Sequence, residues 1–254
     1  MKDPFHVVMV YDEGAEKNLQ LAFDKDFRDA RKKWIFDHSD VVVPLERIEP
    51  ITQFINADLI EYSIANVQRS IPNMMDGLKE SQRKIIHYLI SHYKGSSAKK
   101  VIKVAQLGAA TASETNYHHG EGNLDHVIIK MAQRFVGTNN IPLLKDEGQF
   151  GSRLDGGKDA SHGRYLYTEP ENIFWKIFRT EDLPILNYIT EEGMQIEPET
   201  FYPIIPNILV NGATAIATGF STFIPNHNPL DIISWLMLRL SGQTPDEIAC
   251  PTPW

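Results

Sequence analysis

The chain has 254 residues, 42% of them hydrophobic, enough to fill one large core or two modest ones. Its only cysteine, Cys250, excludes an internal disulfide framework and a cysteine-rich zinc site. No run of about 18 apolar residues is present to span a membrane, and the opening MKDPFHVVMVYDEG lacks a secretory pattern, so a soluble, intracellular protein is expected. A net charge of −8 at pH 7 would repel phosphate if it were spread evenly.

Taken in chain order, residues 19–36 place Leu21, Ala22, Phe23, Phe27, Ala30 and Trp34 near helical spacing, which predicts a surface helix. Pro50 to Val67 repeats the pattern with Phe54, Ile55, Leu59, Ile64 and Val67, and Ser70-Ile71-Pro72-Asn73 breaks it, so a boundary is expected near residue 68. A third helix fits Ser81 to Tyr93 on Ile85, Ile86, Leu89 and Ile90. The glycine, serine and lysine stretch 94–100 reads as an exposed loop. Here the charge is uneven: residues 69–103 carry 8 basic and 2 acidic side chains. If Arg69, Lys79, Arg83, Lys84, Lys94, Lys99, Lys100 and Lys103 share a face, it holds several phosphates in a salt-dependent way. A solvated lysine-rich surface has the same composition.

Leu124, Val127, Ile128, Met131, Phe135 and Val136 predict a fourth helix over 124–136. Short basic helices in succession suggest a helix-turn-helix or winged-helix unit. From Pro203 to Phe223 small and β-branched residues predict strands, with Asn211-Gly212 as a hairpin-type turn. After an apolar stretch, Leu230 to Leu240, the ending SGQTPDEIACPTPW has no capping element, and a chain cut short is expected.

Several motifs then occur in a fixed order. They are Arg69-Ser-Ile-Pro with Asp76-Gly-Leu-Lys79 and Gln82-Arg83-Lys84, Val104-Ala-Gln-Leu107, Tyr117-His-His-Gly-Glu121, Phe135-Val-Gly-Thr-Asn-Asn140 and Gly148-Gln-Phe-Gly151. Gly156-Gly-Lys-Asp-Ala-Ser-His-Gly-Arg-Tyr-Leu-Tyr-Thr168, Glu197-Pro-Glu, Ile204-Ile-Pro206 and Asn211-Gly-Ala-Thr-Ala-Ile-Ala-Thr-Gly219 complete the series. Together they resemble the breakage-reunion region of type IIA DNA topoisomerases. The segment before residue 69 and the uninterrupted His118-His119 pair resemble the fused, eukaryotic or large-DNA-virus kind, the asfarvirus type among them, rather than bacterial gyrase.

The resemblance implies an α+β fold: the tail of a TOPRIM region and linker helices over 1–68, a winged-helix cleavage domain over 69–205, and the start of a β-rich tower domain over 206–254. It implies that Tyr165 attacks a DNA phosphodiester, with Arg164 clamping the scissile phosphate and His119 stabilising the transition state. A phenol with a pKa of about 10 is a weak nucleophile at neutral pH, so cationic neighbours suit that task. Tyr167 is a competitor, and in an extended segment it faces the other way. Arg69, Lys79, Arg83 and Lys84 match DNA-binding positions, Asp76 an orienting carboxylate, and His118 a supporting position. Ile216 matches an isoleucine that wedges between base pairs, although Ala215, Ala217 and Phe220 depart from the residues usual there.

The resemblance also implies double-stranded DNA as partner, a homodimer, and Mg2+ and ATP bound outside this chain. The metal-binding glutamate and DxDxDG-like aspartates are absent from the sequence, so the isolated chain is expected not to cut. Nuclear or viral replication-site localisation follows from the same likeness. From other classes, a non-enzymatic winged-helix DNA-binding protein is the main alternative, followed by a type IIB-like cleaving protein and a scaffold with acidic ends.

Overall fold

A computed structural model describes residues 7–38, 48–93, 101–244 and 246–253. The chain forms two compact units, one of Met1–Ile71 with Ala215–Thr222 and one of Pro72–Thr214 with Phe223–Trp254. Lys94, Lys99 and Lys100, with the loop expected over 94–100, lie outside the described residues.

In the first unit β1 (Val8–Val10) pairs in parallel with β2 (Ile48–Pro50). The single helix expected over 19–36 is instead two, α1 (Ala15–Phe23) and α2 (Arg28–Phe36). Asp24 breaks it: its backbone is extended and its carboxylate accepts from the Asp26 amide at 3.0 Å, opening a 3-10 turn over Lys25–Phe27. A short acidic side chain that satisfies a nearby amide competes with helix continuation. The next helix follows its expected span as α3 (Ile51–Phe54), a π turn over Ile55–Leu59, and α4 (Ile60–Ser70), with Ile55 and Ile60 buried. It stops where Ile71 turns extended before Pro72.

The second unit is built on α5 (Glu80–Tyr93), α6 (Val104–Glu114) and α7 (Glu121–Ala132). Ile85, Ile86 and Leu89 pack with Val104, Leu107, Leu124 and Ile128 in one core, joined by Leu144, Leu166, Phe174 and Phe178. Short strands β3 (Ile102–Lys103) and β4 (Tyr167–Thr168) pair antiparallel beside the helices, giving the α+β winged-helix arrangement. The helix expected to reach residue 136 ends at Ala132. Gln133 is extended, and its side-chain amide donates to the Phe150 carbonyl at 2.8 Å. That bond ties down the loop that follows the helix.

Beyond α8 (Phe174–Ile177), β5 (Tyr188–Glu191) and β6 (Met194–Pro198) form an antiparallel hairpin. The predicted strand region contains α9 (Asn207–Val210), then β7 (Ala213–Ala217) and β8 (Phe220–Ile224). The hairpin turn is Thr218-Gly219, not Asn211-Gly212. Gly219, at φ 74°, supplies the left-handed step, while the Asn211 side chain is held by the Ile141 backbone, whose amide donates to Oδ1 and whose carbonyl accepts from Nδ2, both at 2.9 Å. The apolar stretch at 230–240 is α10 (Pro229–Leu240), capped by the Asn228 side chain, which accepts from the Leu230 amide at 3.0 Å.

Candidate active site

Tyr165 closes a 3-10 turn over Gly163–Tyr165, where its amide donates to the His162 carbonyl at 2.9 Å. The chain is fastened immediately afterwards. Leu166 is 1% exposed in the core, its carbonyl accepts from the Val104 amide at 2.9 Å, and Tyr167 exchanges backbone hydrogen bonds with Glu147 at 3.0 and 3.1 Å. Tyr165 itself is 65% exposed. The Arg164 guanidinium carbon stands 5.0 Å from the centroid of that ring, so the adjacent cation lies over the phenol. Tyr167 belongs to paired strand β4, with the Lys103 ammonium 5.8 Å from its ring centroid.

The two histidines sit on the loop between α6 and α7. Asn116, at φ 47°, and Gly120, at φ 82°, turn the chain at either end of it. His119 is exposed, with its ring edge-on to Tyr117 at 5.4 Å, and its carbonyl accepts from the Asn123 side chain at 2.5 Å. His118 Nε2 lies 3.2 Å from Glu191 Oε1. The two neighbours therefore have different surroundings, His118 beside a carboxylate and His119 beside an aromatic ring.

Arg83 and Lys84, expected to present charge to phosphate, are buried, which corrects that placement. Arg83 Nε donates to Asp76 Oδ2 at 2.8 Å and Nη2 to Asp76 Oδ1 and the Leu78 carbonyl, both at 3.1 Å. Asp76 is fully buried and also accepts from the Leu78 and Phe201 amides at 2.9 and 3.0 Å. Gly77 beside it adopts φ 69°, and a Cβ there would come within 2.6 Å of the Ile208 nitrogen, so the backbones meet too closely for any side chain. Lys84 Nζ donates to the Thr115 carbonyl at 2.7 Å and lies 2.8 Å from Glu197 Oε1. Burial pushes the Glu197 carboxyl above its ordinary range, and Lys84 opposes that shift. A charge closed inside a protein requires such partners. Lys84 thereby holds the end of α6, one residue before Asn116 starts the histidine loop.

Lys79 remains accessible. It lines a cavity of about 310 Å³ with Ser81, Gln82, Lys130, Asn139 and Asn211, and no carboxylate is among the lining residues. Burial and then the nearby Lys130 lower the Lys79 pKa below the usual lysine value. Lys130 escapes sequence reasoning, since a lone lysine on a helix carries no motif. Arg69 is half-buried near the end of α4. Ile216 is 80% exposed on β7 while Ala215 beside it is buried, as strand alternation requires. The hairpin turn next to Ile216 is tied to α4, because the Asn66 side chain accepts from the Thr218 amide at 2.9 Å.

Among the described residues no group of three or more His, Cys, Asp or Glu side chains is placed to hold a metal ion. None of the described helices is long and apolar enough to cross a membrane.

Comparison with known proteins places these features in a family. The family model for the A-subunit of DNA gyrase/topoisomerase IV matches residues 69–254. DNA topoisomerase 2 of Invertebrate iridescent virus 6 is 46% identical in an alignment 248 residues long that covers 93% of this chain and 21% of that protein. The Saccharomyces cerevisiae DNA topoisomerase 2 is 46% identical over 245 residues, 95% of this chain and 17% of that one. Among solved structures, the Plasmodium falciparum topoisomerase II DNA-binding, cleavage and re-ligation domain superposes with a TM-score of 0.81 at 40% identity, covering 98% of this chain and 33% of that chain. The chain thus spans about a fifth of the length of the curated relatives it matches. With a match over most of its length, the chain belongs to the A-subunit family of DNA gyrase/topoisomerase IV, the breakage-reunion family of type IIA topoisomerases.

Proposed function

We propose that this chain is the DNA-binding and cleavage core of a type II topoisomerase, with Tyr165 as nucleophile. The Tyr165 oxygen attacks a backbone phosphorus, its proton passes to solvent or a base, and the bond from phosphorus to the 3′ oxygen breaks. A 5′-phosphotyrosine link and a 3′ hydroxyl result. The phosphodiester is exchanged rather than hydrolysed, so the reverse attack reseals the strand without a further energy source. The observation that carries this reading is the exposed Tyr165 ring beside Arg164 on an anchored turn.

Arg164 would stabilise the charge that develops on the phosphate oxygens, and His119 would donate to the same group. Lys79 and Arg69 would hold neighbouring phosphates. Arg83, Lys84 and Asp76 keep the helix and loop in place from within, and His118 supports the loop. Ile216 would insert between base pairs and bend the duplex, a cost of a few kcal/mol recovered through wider contact. In this reading 69–205 is the winged-helix cleavage domain, 1–68 its link to a metal-binding region, and 206–254 the entry to a tower domain.

The complete enzyme would act on double-stranded DNA as a homodimer, using ATP and a divalent metal bound outside this chain, in the nucleus or at viral replication sites. The isolated chain would bind DNA without cutting it. Full-length protein carrying Tyr165→Phe tests the reading. After denaturation it should yield no protein-linked DNA, while DNA affinity stays near the wild-type value. Covalent linkage that survives the substitution would refute the assignment, and an unaltered activity profile with no linkage in either protein would favour a non-enzymatic binding module.

A further inference from the structure

The carboxylate of Asp125 on α7 lies between two glycines. A Cβ on Gly163 would stand 2.4 Å from Asp125 Oδ2 and 2.9 Å from its Cγ, and a Cβ on Gly108 of α6 would stand 2.6 Å from Oδ1. Oδ1 is buried and, among the described residues, has no hydrogen-bond partner. A buried acceptor without a partner lowers stability, so fold maintenance alone does not account for a carboxyl group here. Gly163 opens the turn that carries Arg164 and Tyr165.

We propose that Asp125 is a positioning residue for the nucleophile: its planar carboxyl group, seated in the slot between Gly108 and Gly163, sets the height of the turn that presents Tyr165. The inference rests on Tyr165 being the nucleophile. Burial holds the Asp125 carboxyl above its ordinary pKa, with Glu121 acting in the same sense and His126 and His162 opposing it. Asparagine keeps the planar shape of the carboxyl group without its charge, so it tests fit separately from charge. The slot works by fit: a methyl on either glycine would require the Asp125 carboxyl group or the turn to shift.

The test uses the full-length enzyme with saturating duplex DNA, measuring the rate of covalent complex formation and, separately, DNA affinity. Gly163→Ala should slow covalent attachment by about tenfold or more, because sub-ångström misplacement of a reacting group is costly, while affinity changes by less than about twofold. Asp125→Ala should slow the step by a similar order, and Asp125→Asn should restore it to within about threefold of wild type. Combined with Gly163→Ala, Asp125→Ala should recover most of the loss, since the added methyl then has room. Two results would overturn the proposal: an Asp125→Ala rate within about twofold of wild type, or losses in the double variant that simply multiply. If Gly163→Ala fails to fold, the Asp125→Ala and Asp125→Asn pair still decides. Tyr165→Phe run in parallel separates the two claims, because covalent complex persisting in that variant removes the nucleophile assignment itself.

Discussion

Asp76 and Arg83 form a two-point ion pair, Nε to Oδ2 at 2.8 Å and Nη2 to Oδ1 at 3.1 Å, in which the aspartate side chain is fully buried and the arginine 9% exposed. Removing one member strands the other without solvent. Asp76→Ala should destabilise the fold by about 3–5 kcal/mol, read from chemical denaturation midpoints. Arg83→Lys should also lose stability, because an ammonium cannot reproduce the fork that reaches both oxygens and the Leu78 carbonyl. Wild-type stability in both variants would contradict an internal role.

Tyr93 is 3% exposed and, among the described residues, its hydroxyl has no hydrogen-bond partner. Burial, with smaller effects from Tyr88 and Glu169, pushes its pKa up to about 12. An unfolded tyrosine releases its proton near pH 10, so between about pH 10 and 12 the folded state holds a proton that the unfolded state has lost. Stability from this group is full below pH 10 and declines as pH rises toward 12. Tyr93→Phe should remove that part of the alkaline decline and, with no partner to lose, change stability at pH 7 by less than about 1 kcal/mol. Difference absorbance of the phenolates against pH gives the direct reading.

Lys79 shares its cavity with Lys130 and no carboxylate lines it, so a phosphate bound there would meet two cations. Full-length Lys79→Ala should weaken binding evenly across DNA sequences and reduce the slope of log K against log salt by about 1. Fluorescence anisotropy at several salt concentrations measures it. An unchanged slope would place Lys79 away from the DNA backbone.

Ile216 is exposed and contributes little to any core. Ile216→Ala should leave the melting temperature near that of wild type, a surface change within about 0.5 kcal/mol. In the full-length enzyme the same change should reduce the DNA bend seen by energy transfer between duplex ends. A bend of undiminished angle would exclude the wedge role.

Sequence periodicity captures α5 well, because Ile85, Ile86, Leu89 and Ile90 recur at helical spacing and all four are buried. It misreads Arg83 and Lys84 on that same helix. Their partners are Asp76, seven positions earlier, and Glu197, 113 positions later, and no local window reveals a charge neutralised at such a distance. Helix α6 escapes notice because Ala, Gly and Thr give little contrast between its faces. Asn211-Gly212 carries the stronger hairpin signal than Thr218-Gly219, yet its asparagine is engaged by the Ile141 backbone. The Arg164-Tyr165 pair is legible in the sequence as a dipeptide, and in the structure the guanidinium lies over the exposed tyrosine, whereas the Gly108–Asp125–Gly163 slot depends on three segments that no motif joins.

The fastening of Leu166 directly after Tyr165 leaves the phenol little to search with except its own side-chain torsions. If that ring is the nucleophile, alignment must come from the other reactant. Whichever stretches of duplex deform at low cost would then deliver their phosphorus to the oxygen more often, so preference among cutting sites would be written in base-step flexibility rather than in contacts to base edges.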